Sequence, residues 1–348
     1  MKKQEVIEAK IAKRNPAQNV TLKETSLFAH ELEKNIPSVH VLELSTVYLL
    51  NGYLLSLSDF KTFNSYTHTY PISKSRTLLN FAKVVLSNFL SKTKTIENAI
   101  FATDNWSDGY FHWLTDVIPR VLVAQKIEKR ENTELLVPKE LEKYDFTQIT
   151  GEKLNRKIYF YESNQVYKIN KLILPSHIGN SGNYDKELMQ EARKLFTQSS
   201  KIESNEGTEN VIKQKINRKI YISRQKSRFR KINNEEQVQK LLKKYNYEIH
   251  YFEEYSFEKQ IELMKQTVSL VGLHGAGLTN MLFINPNTKV LEIRNQADKH
   301  NNCYFSLASD LEVDYYYLLS EGDSAETHTV NVDVDIEKLE QIILEMEK

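Results

Sequence analysis

The feature that most constrains the fold is a regular alternation of strand-like and helix-like segments between residues 218 and 293. Apolar segments bounded by turn residues predict strands at 218–223, 247–252, 268–271 and 289–293. Helices are predicted after Asn234, whose side chain should cap the first turn together with Gln237, and after Ser256. Such alternation predicts a parallel sheet with right-handed crossovers, and ligands bind beyond the carboxyl ends of such strands.

The strand at 268–271 runs into a glycine-rich turn, Gly272-Leu-His-Gly-Ala-Gly277, and a short helix is predicted from there to Phe283. The first N–H groups of a helix have no acceptor within it, so a helix start is a ready site for phosphate. The glycine spacing matches neither the dinucleotide motif nor a Walker loop. The turn therefore predicts an anion site of another kind, and the alternative is a tight turn that needs glycine only for packing.

A basic segment adds a second indication of an anion. Residues 213–231 contain nine basic residues and no acidic one, and Arg224 stands where the first strand of the series ends. Its guanidinium should project from the same sheet edge as the glycine turn, so one phosphate could contact both. A solvated loop or a nucleic-acid surface is the alternative, but Phe229 is almost the only aromatic residue placed to stack on a base.

The N-terminal part has a less regular pattern. It contains strand-like segments at 39–44, 47–57, 96–103, 134–137, 157–161 and 171–174, and a predicted helix at 75–90. The polar segment 197–210 is typical of a linker. We therefore predict an N-terminal domain over 1–205, a second domain over 206–330, and a C-terminal tail, 331–348, whose helix packs on one of the domains and could return to the first.

A histidine between two carboxylates is the candidate for proton transfer. Asp108, His112 and Asp116 are four residues apart, so they share one face if the segment is helical. Such neighbours can fix the tautomer of a histidine and raise its basicity, as a general base requires. The alternative is that Asp108 caps the helix while His112 packs among aromatic residues. Pro119 is expected to end or kink this helix.

Composition excludes several other classes of function. The net charge of +1 gives no overall field that would attract nucleic acid or an anionic membrane. A single cysteine, Cys303, rules out an intramolecular disulfide and a thiolate zinc site, which fits a reducing cytosol. Asp104 and Asp108 do not form a D-x-D pair, and the sequence has no H-E-x-x-H and no G-x-S-x-G motif, so neither a metal site nor a serine hydrolase is indicated. Neither a signal peptide nor a membrane span is predicted.

Several of these segments together resemble the glycosyltransferase 61 family, also described as the capsular polysaccharide biosynthesis or DUF563 group. The ordered motifs cover roughly residues 100–295. They are Tyr110-Phe-His-Trp-Leu-Thr-Asp116 with Pro119-Arg120, Ile222-Ser-Arg224 with Arg228, Arg230 and Asn233-Asn-Glu235, Ser256-Phe257 with Gln260, His274-Gly-Ala-Gly-Leu-Thr-Asn280, and Val290-Leu-Glu-Ile293. One departure is Gly109 directly before Tyr110, where family members often carry an asparagine shortly before the aromatic pair.

The resemblance implies an α/β protein of the GT-B type, in which two Rossmann-like lobes face each other across a cleft. A nucleotide sugar would be held mainly by the C-terminal lobe, and the N-terminal lobe would face the acceptor. His112 and Asp116 are the catalytic candidates that match the first-lobe motif. The donor-binding candidates are Ser223, Arg224, Arg228, Arg230, His274, Gly275, Ala276, Gly277, Leu278, Thr279, Asn280 and Glu292, the last accepting hydrogen bonds from ribose or sugar hydroxyls.

The implied reaction is an inverting, metal-independent transfer of a hexosyl or pentosyl unit to a glycan hydroxyl, in surface or capsular polysaccharide synthesis. His112 or Asp116 would act as the base while the other orients it. We expect no cofactor, a UDP-sugar donor, a glycan or lipid-linked glycan acceptor, and no nucleic acid. The expected location is the cytoplasm, with peripheral association at the inner membrane face. A non-catalytic nucleotide-sugar-binding relative and an RNA-binding protein that uses the basic segment are the alternatives.

Overall fold

A computed structural model describes residues 1–21, 24–68, 70–198, 216–324 and 329–348 of the chain. Most of the predicted linker, from residue 199 onward, lies outside the described residues. The structure is of the α/β class, as predicted, and divides into two compact units. The first unit comprises Met1–Lys10 and Asn35–Ser181, and the second comprises Ile11–Lys34 and Gly182–Lys348. The division therefore lies nearer residue 181 than the predicted 205, and an N-terminal segment belongs to the second unit.

The first unit contains a mixed eight-stranded sheet. Its strands are β1 (Lys2–Ile7), β4 (Val39–Leu50), β5 (Tyr53–Ser56), β6 (Lys61–Thr62), β7 (Lys94–Phe101), β8 (Glu134–Pro138), β9 (Ile158–Tyr161) and β10 (Tyr167–Pro175). The order is β6-β5-β4-β10-β7-β8-β9, with β1 also paired to β4. Pairing is parallel from β10 to β9 and antiparallel elsewhere, so only half of this sheet has the parallel pattern of a Rossmann-like lobe. Separately, β2 (Lys10–Lys13) pairs with β3 (Glu33–Ile36).

The strand-like segment 47–57 is a hairpin and not one strand. Asn51 and Gly52 have φ values of 52° and 75°, which is the geometry of a tight two-residue hairpin turn between β4 and β5. Helix α2 (Lys74–Phe89) confirms the helix predicted at 75–90, and Ser73 caps it by accepting a hydrogen bond from the Arg76 N–H. Val84 of this helix packs with Tyr48, which anchors α2 to the hairpin.

The helix that follows β7 continues through Pro119, so of the two outcomes predicted for this residue, an end or a kink of the helix, the end does not occur. It comprises α3 (Tyr110–His112), a π-helical turn (Trp113–Val117) and α4 (Ile118–Ile127). The Ile118 N–H donates to the Trp113 carbonyl across the wider turn. Pro119 then lies in the first turn of α4, where its missing N–H is tolerated. The unit also contains α5 (Asp145–Lys153).

The second unit is the doubly wound structure that the sequence predicts. Its strands are β11 (Arg218–Ile222), β12 (Glu248–His250), β13 (Thr267–Leu273), β14 (Lys289–Asn295), β15 (Asp314–Gly322) and β16 (Val332–Asp333). The order is β12-β11-β13-β14-β15-β16, and all pairs are parallel except β15 with β16. Its helices are α1 (Ala29–Leu32), α6 (Lys186–Thr197), α7 (Glu235–Lys244), α8 (Phe257–Lys265), α9 (Cys303–Asp310) and α10 (Ile336–Met346), with a 3-10 helix at Ala276–Phe283.

Two details of the second unit differ from the predictions. Asn234 occupies the cap position of α7, but its side chain accepts no hydrogen bond from a backbone N–H of the first turn. It bonds the backbone of Val334, and its amide donates to Gln237 Oε1 at 3.4 Å. Helix α10 buries Leu339, Ile343 and Met346 in the core that contains Tyr221 and Val238. The apolar stripe of α10 is therefore buried within the second unit, to which the helix belongs. Ser256 caps α8 as predicted, by accepting a hydrogen bond from the Lys259 N–H.

Candidate active site

The strand ends of the second unit meet at one edge of its sheet. Ile222 in β11 lies opposite Gly272 in β13, and Gly272 lies opposite Glu292 in β14. In this strand order the connections leave β11 and β13 on opposite sides of the sheet, so their carboxyl ends flank the topological switch point. Arg224 and the glycine turn follow these two neighbouring strands. They therefore stand where doubly wound sheets bind ligands.

Arg224 lies so close to the glycine turn that a side chain at position 275 would displace its guanidinium. Its Nη1 atom is 2.7 Å from the position that a Cβ atom on Gly275 would occupy. Gly275 also has φ 157° and ψ 172°, a region used almost only by glycine. Gly275 is thus required by both the backbone conformation and the approach of the guanidinium.

The other nitrogens of Arg224 hold its own loop in place. Nε donates to the Arg230 carbonyl at 3.0 Å, while Nη2 donates to Ser227 Oγ at 2.8 Å and to the Phe229 carbonyl at 2.9 Å. No acceptor for Nη1 occurs among the described residues. The guanidinium is therefore fixed in orientation, and the donors on its remaining nitrogen point to the glycine turn.

The charge of Arg224 has no ion-pair partner in the described part of the chain. Burial lowers the pKa of Arg224, and the positive charge of Arg230 lowers it further. A bound anion would reverse both effects, since it stabilises the charged form. Beside the guanidinium, Ala276 and Gly277 are partly exposed and begin the 3-10 helix, so their N–H groups have no acceptor within it. This arrangement suits a phosphate group.

The two other arginines of the loop differ in their surroundings. Arg230 has a φ of 58°, and its buried Nε meets no acceptor in the part of the chain that the structure describes. It lines a small cleft together with His274 and Asp298. Arg228 is exposed, with its guanidinium 4.9 Å from the centre of the Phe229 ring. Arg230 is therefore the second cation of this edge, and Arg228 belongs to the solvated surface.

Ser223 is fully buried at the end of β11. Its hydroxyl donates to Glu235, which also accepts hydrogen bonds from the Tyr221 hydroxyl at 2.8 and 2.9 Å. The Ser223 N–H donates to the His250 carbonyl at 2.9 Å. These bonds fix the strand end that positions Arg224, and a direct contact between Ser223 and a donor stays a prediction.

His274 and Glu292 form a buried pair beneath the turn. His274 Nδ1 donates to one Glu292 oxygen, Nε2 lies 3.1 Å from the Asn301 amide nitrogen, and the Tyr315 hydroxyl donates to the other Glu292 oxygen. Burial raises the pKa of Glu292, but His274 and then Arg294 outweigh it, so the net shift is downward. Both ring nitrogens of His274 are used, and this histidine supports the turn. A contact of Glu292 with ribose would require a change in these bonds, and it too stays a prediction.

The end of the glycine-turn motif packs into the second unit. Leu278, Thr279 and Asn280 are buried in the 3-10 helix, and the Asn280 side chain donates to the Gly277 carbonyl at 3.0 Å. A Cβ on Gly272 would lie 2.9 Å from the Leu278 side chain. The packing explanation for glycine therefore holds at Gly272, whereas Gly275 faces the cation.

The first unit brings His112 and Asp116 together. His112 Nδ1 and Asp116 Oδ2 are 2.7 Å apart, and Ser181 Oγ lies 3.3 Å from the first and 3.2 Å from the second. The carboxylate fixes the proton on Nδ1, which leaves the Nε2 lone pair available. No partner of Nε2 occurs among the described residues. The ring is partly exposed beside Trp106, with 5.7 Å between the ring centres.

Asp108 does not join this pair. It is exposed and precedes the helix, and Gly109 occupies the cap position without a side-chain hydrogen bond. Both the three-residue face and the capping role predicted for Asp108 are therefore wrong. A Cβ on Gly109 would lie 3.2 Å from His112 Cδ2, so the glycine leaves room for the imidazole ring.

Several polar groups of the first unit that act on this pair or its neighbours were not predicted from the sequence. Arg120 is buried, and its Nη2 donates to the Tyr66 and Pro175 carbonyls at 2.6 and 3.0 Å. Burial lowers the pKa of Arg120 to about 10, against the opposing charges of Asp104 and Asp116. Burial and Arg120 together lower the pKa of His177 to about 4. Ser181 was missed as well, since only the folded chain brings it to His112. The Pro119-Arg120 motif was the one available signal.

Among the described residues, no group of three His, Cys, Asp or Glu side chains is arranged to hold a metal ion.

Comparison with known proteins bears on both regions. Residues 110–291, just over half of the chain, match the family described as Glycosyltransferase 61. A relative, the EGF domain-specific O-linked N-acetylglucosamine transferase of Drosophila melanogaster, is 36% identical over 98 residues, which are 27% of this chain and 18% of the relative. The chain thus spans about a fifth of that protein. The family match includes the His112–Asp116 pair, Arg224 and the glycine turn, and the chain belongs to the glycosyltransferase 61 family.

Proposed function

We propose that this protein transfers a glycosyl unit from a nucleotide-sugar donor to a hydroxyl group of a glycan. The observation that carries the proposal is the Arg224 guanidinium, which lies over Gly275 at the switch point of a doubly wound sheet and has no counter-ion among the described residues. The family supports glycosyl transfer in general.

The donor diphosphate would be held by Arg224 Nη1 and by the N–H groups of Ala276 and Gly277. Arg230 adds a second positive charge at the same edge. These groups would stabilise the negative charge that develops on the departing nucleoside diphosphate. The fixed cations at this edge support the further proposal that the transfer proceeds without a metal ion.

In the proposed reaction His112 Nε2 removes the proton of the acceptor hydroxyl. The hydroxyl oxygen attacks the anomeric carbon while the bond to the diphosphate breaks on the opposite face of the sugar, so the configuration inverts. Asp116 would hold the proton on Nδ1 and stabilise the imidazolium that forms. General-base catalysis of this kind contributes a factor of about 10² to 10⁴ in rate.

We further propose the GT-B arrangement, with the acceptor part and the donor part facing across a cleft, and a UDP-sugar as the donor. The relative is named as an N-acetylglucosamine transferase, so UDP-N-acetylglucosamine is the first donor to test. The proposal also includes a glycan or lipid-linked glycan as the acceptor and a role in surface or capsular polysaccharide synthesis. It further includes a cytoplasmic location with peripheral membrane association.

The donor site can be tested by thermal unfolding with UDP, GDP, CDP and ADP in the presence of a chelator. A nucleotide at 100 times its dissociation constant should stabilise the wild type by about 2.7 kcal/mol. Arg224→Ala should lose this stabilisation, whereas Arg228→Ala, which removes an exposed arginine of the same loop, should keep it. Equal stabilisation in Arg224→Ala would contradict the donor site.

Turnover separates an enzyme from a non-catalytic relative. Release of UDP from UDP-N-acetylglucosamine and other UDP-sugars would be measured with and without glycan acceptors. If nucleotide binding depends on Arg224 but no sugar is transferred to any acceptor, the protein is a non-catalytic nucleotide-sugar-binding relative.

A further inference from the structure

Helix α2 carries an apolar face that no described part of the protein covers. Leu78, Ala82, Val85 and Phe89 recur every three or four residues, which places them on one side of the helix. The exposed fractions are 72% for Leu78 and 85% for Phe89. We call this side the α2 outer face, and it comprises Leu78, Leu79, Ala82, Val85, Leu86, Phe89 and Leu90.

The orientation of this face is fixed by the opposite side of the helix. Val84 is buried and Phe81 packs with it against the β4–β5 hairpin, while the Asn88 side chain donates to the Tyr48 hydroxyl at 2.8 Å. Phe60, itself exposed, stacks on Phe81 with 5.6 Å between ring centres and extends the apolar surface. Helix α2 is apolar on both sides, so a second apolar surface is needed to cover its outer face. Exposed apolar patches of this kind mark binding sites.

The charges around the α2 outer face identify the kind of surface that would cover it. No acidic residue occurs between Asp59 and Glu97, whereas that stretch contains six basic residues. At about 100° per residue, Lys74 borders one edge of the face, and Arg76 and Lys83 border the other. None of these three side chains forms an ion pair with a described residue. An apolar stripe flanked by unpaired cations on both sides is complementary to an anionic lipid surface.

We propose that the α2 outer face binds the surface of a membrane that contains anionic lipids. The helix would lie parallel to the bilayer plane, with its apolar side chains at the level of the acyl chains and its cations at the headgroups. Within the described residues, no helix has the length and hydropathy needed to cross a bilayer. The surface therefore implies peripheral binding.

The position of α2 connects this surface with the proposed acceptor site. Arg76 Nη1 lies 3.5 Å from the Tyr53 hydroxyl, and Tyr53 stacks on His68 with 4.6 Å between ring centres. Burial lowers the pKa of His68, and the charges of Asp104 and Arg76 act on it in opposite directions. Asp104 also acts on Arg120 beneath the His112–Asp116 pair. The inference rests on the proposed function only in this respect, since membrane binding would bring a lipid-linked acceptor to the same unit that contains the pair.

Vesicle flotation tests the surface directly. The full chain would be mixed with vesicles of phosphatidylcholine alone and with vesicles containing phosphatidylglycerol. We expect flotation only with the anionic vesicles, weakened by added salt. Phe89→Asp and Leu86→Asp should each lower the partition coefficient at least about tenfold, because they place a charge in the apolar stripe. Leu344→Asp, at a leucine 48% exposed on α10, is the matched control and should float like the wild type.

The charge reversal Lys74→Glu/Lys83→Glu provides a second variant that leaves the apolar stripe intact, and it should also lose flotation. Failure of the wild type to float, or flotation that is equal in all variants, would overturn the proposal. A wild-type dimer that Phe89→Asp converts to monomer, without vesicle binding, would instead assign the face to a contact between two copies. Nucleotide binding does not enter these measurements, so the surface and the transferase proposal can fail independently.

Discussion

Each unit of the protein contains a histidine paired with a carboxylate, and the two pairs differ in what surrounds them. In the second unit His274 and Glu292 are buried, and Asn301 and Tyr315 occupy the remaining ring nitrogen and carboxylate oxygen. In the first unit His112 and Asp116 are partly exposed, and His112 Nε2 meets no described partner. The same pair of side chains can therefore hold a turn in one place and be available for proton transfer in another.

The largest effect should come from removing the available nitrogen. His112→Ala is expected to lower the transfer rate by a factor of about 10² to 10⁴, because no base then receives the hydroxyl proton. UDP binding, measured by thermal shift, should be unchanged, and stability should change by less than about 1 kcal/mol since the ring is partly exposed. Turnover within threefold of the wild type would remove His112 from the reaction.

Substitution of the buried histidine should lower the free energy of unfolding. His274→Ala leaves the Glu292 carboxylate buried without its main hydrogen-bond donor, and breaking a buried pair in this way costs about 3–5 kcal/mol. Urea unfolding of His274→Ala and His112→Ala, followed by circular dichroism, measures the contrast. If both variants unfold at the same urea concentration, the distinction between a supporting and a reacting pair is wrong.

A third histidine, His177, allows a pH test of the first unit. Its pKa in the folded state is about 4, below the unfolded value near 6.5, so the unfolded chain binds the proton first. The folded state should therefore lose stability as the pH falls from about 6.5 to about 4, by up to about 3 kcal/mol. His177→Gln cannot titrate, so the difference in unfolding free energy between the two proteins should vary over this range. A constant difference would contradict the lowered pKa.

Two glycine substitutions should give the smallest and most selective effects. Gly275→Ala must displace Arg224 and strain the backbone, and we expect UDP affinity to fall about tenfold at a stability cost of about 1–2 kcal/mol. In Gly109→Ala the added methyl group would crowd the His112 ring, which should lower the transfer rate about threefold and leave UDP affinity unchanged. Titration with UDP and the rate of UDP-sugar turnover distinguish them, and a reversed pattern would exchange the roles of the two regions.

Local sequence patterns predicted the second unit better than the first. Alternating strands and helices place Arg224 and the glycine turn at neighbouring strand ends, because chain order and sheet order are related by simple crossover rules. The first unit joins antiparallel and parallel strands that are far apart in the chain, and no local pattern pairs β4 with β10. For the same reason the contact of Ser181 with His112 and the burial of Arg120 were not predictable. Asn234 shows a further limit, since its amide bonds a backbone segment about a hundred residues away.

The π-helical turn at Trp113–Val117 amounts to one extra residue within an otherwise regular helix. Deleting one residue there should give a straighter helix with better local hydrogen bonds. It would also rotate everything before the turn by about 100° relative to the buried residues of α4. His112 lies before the turn and Asp116 within it, so the deletion would change the spacing of the pair from four residues to three and would turn His112 relative to the buried side of α4. The helical register at this turn, and not only the identity of the residues, therefore determines where the pair lies.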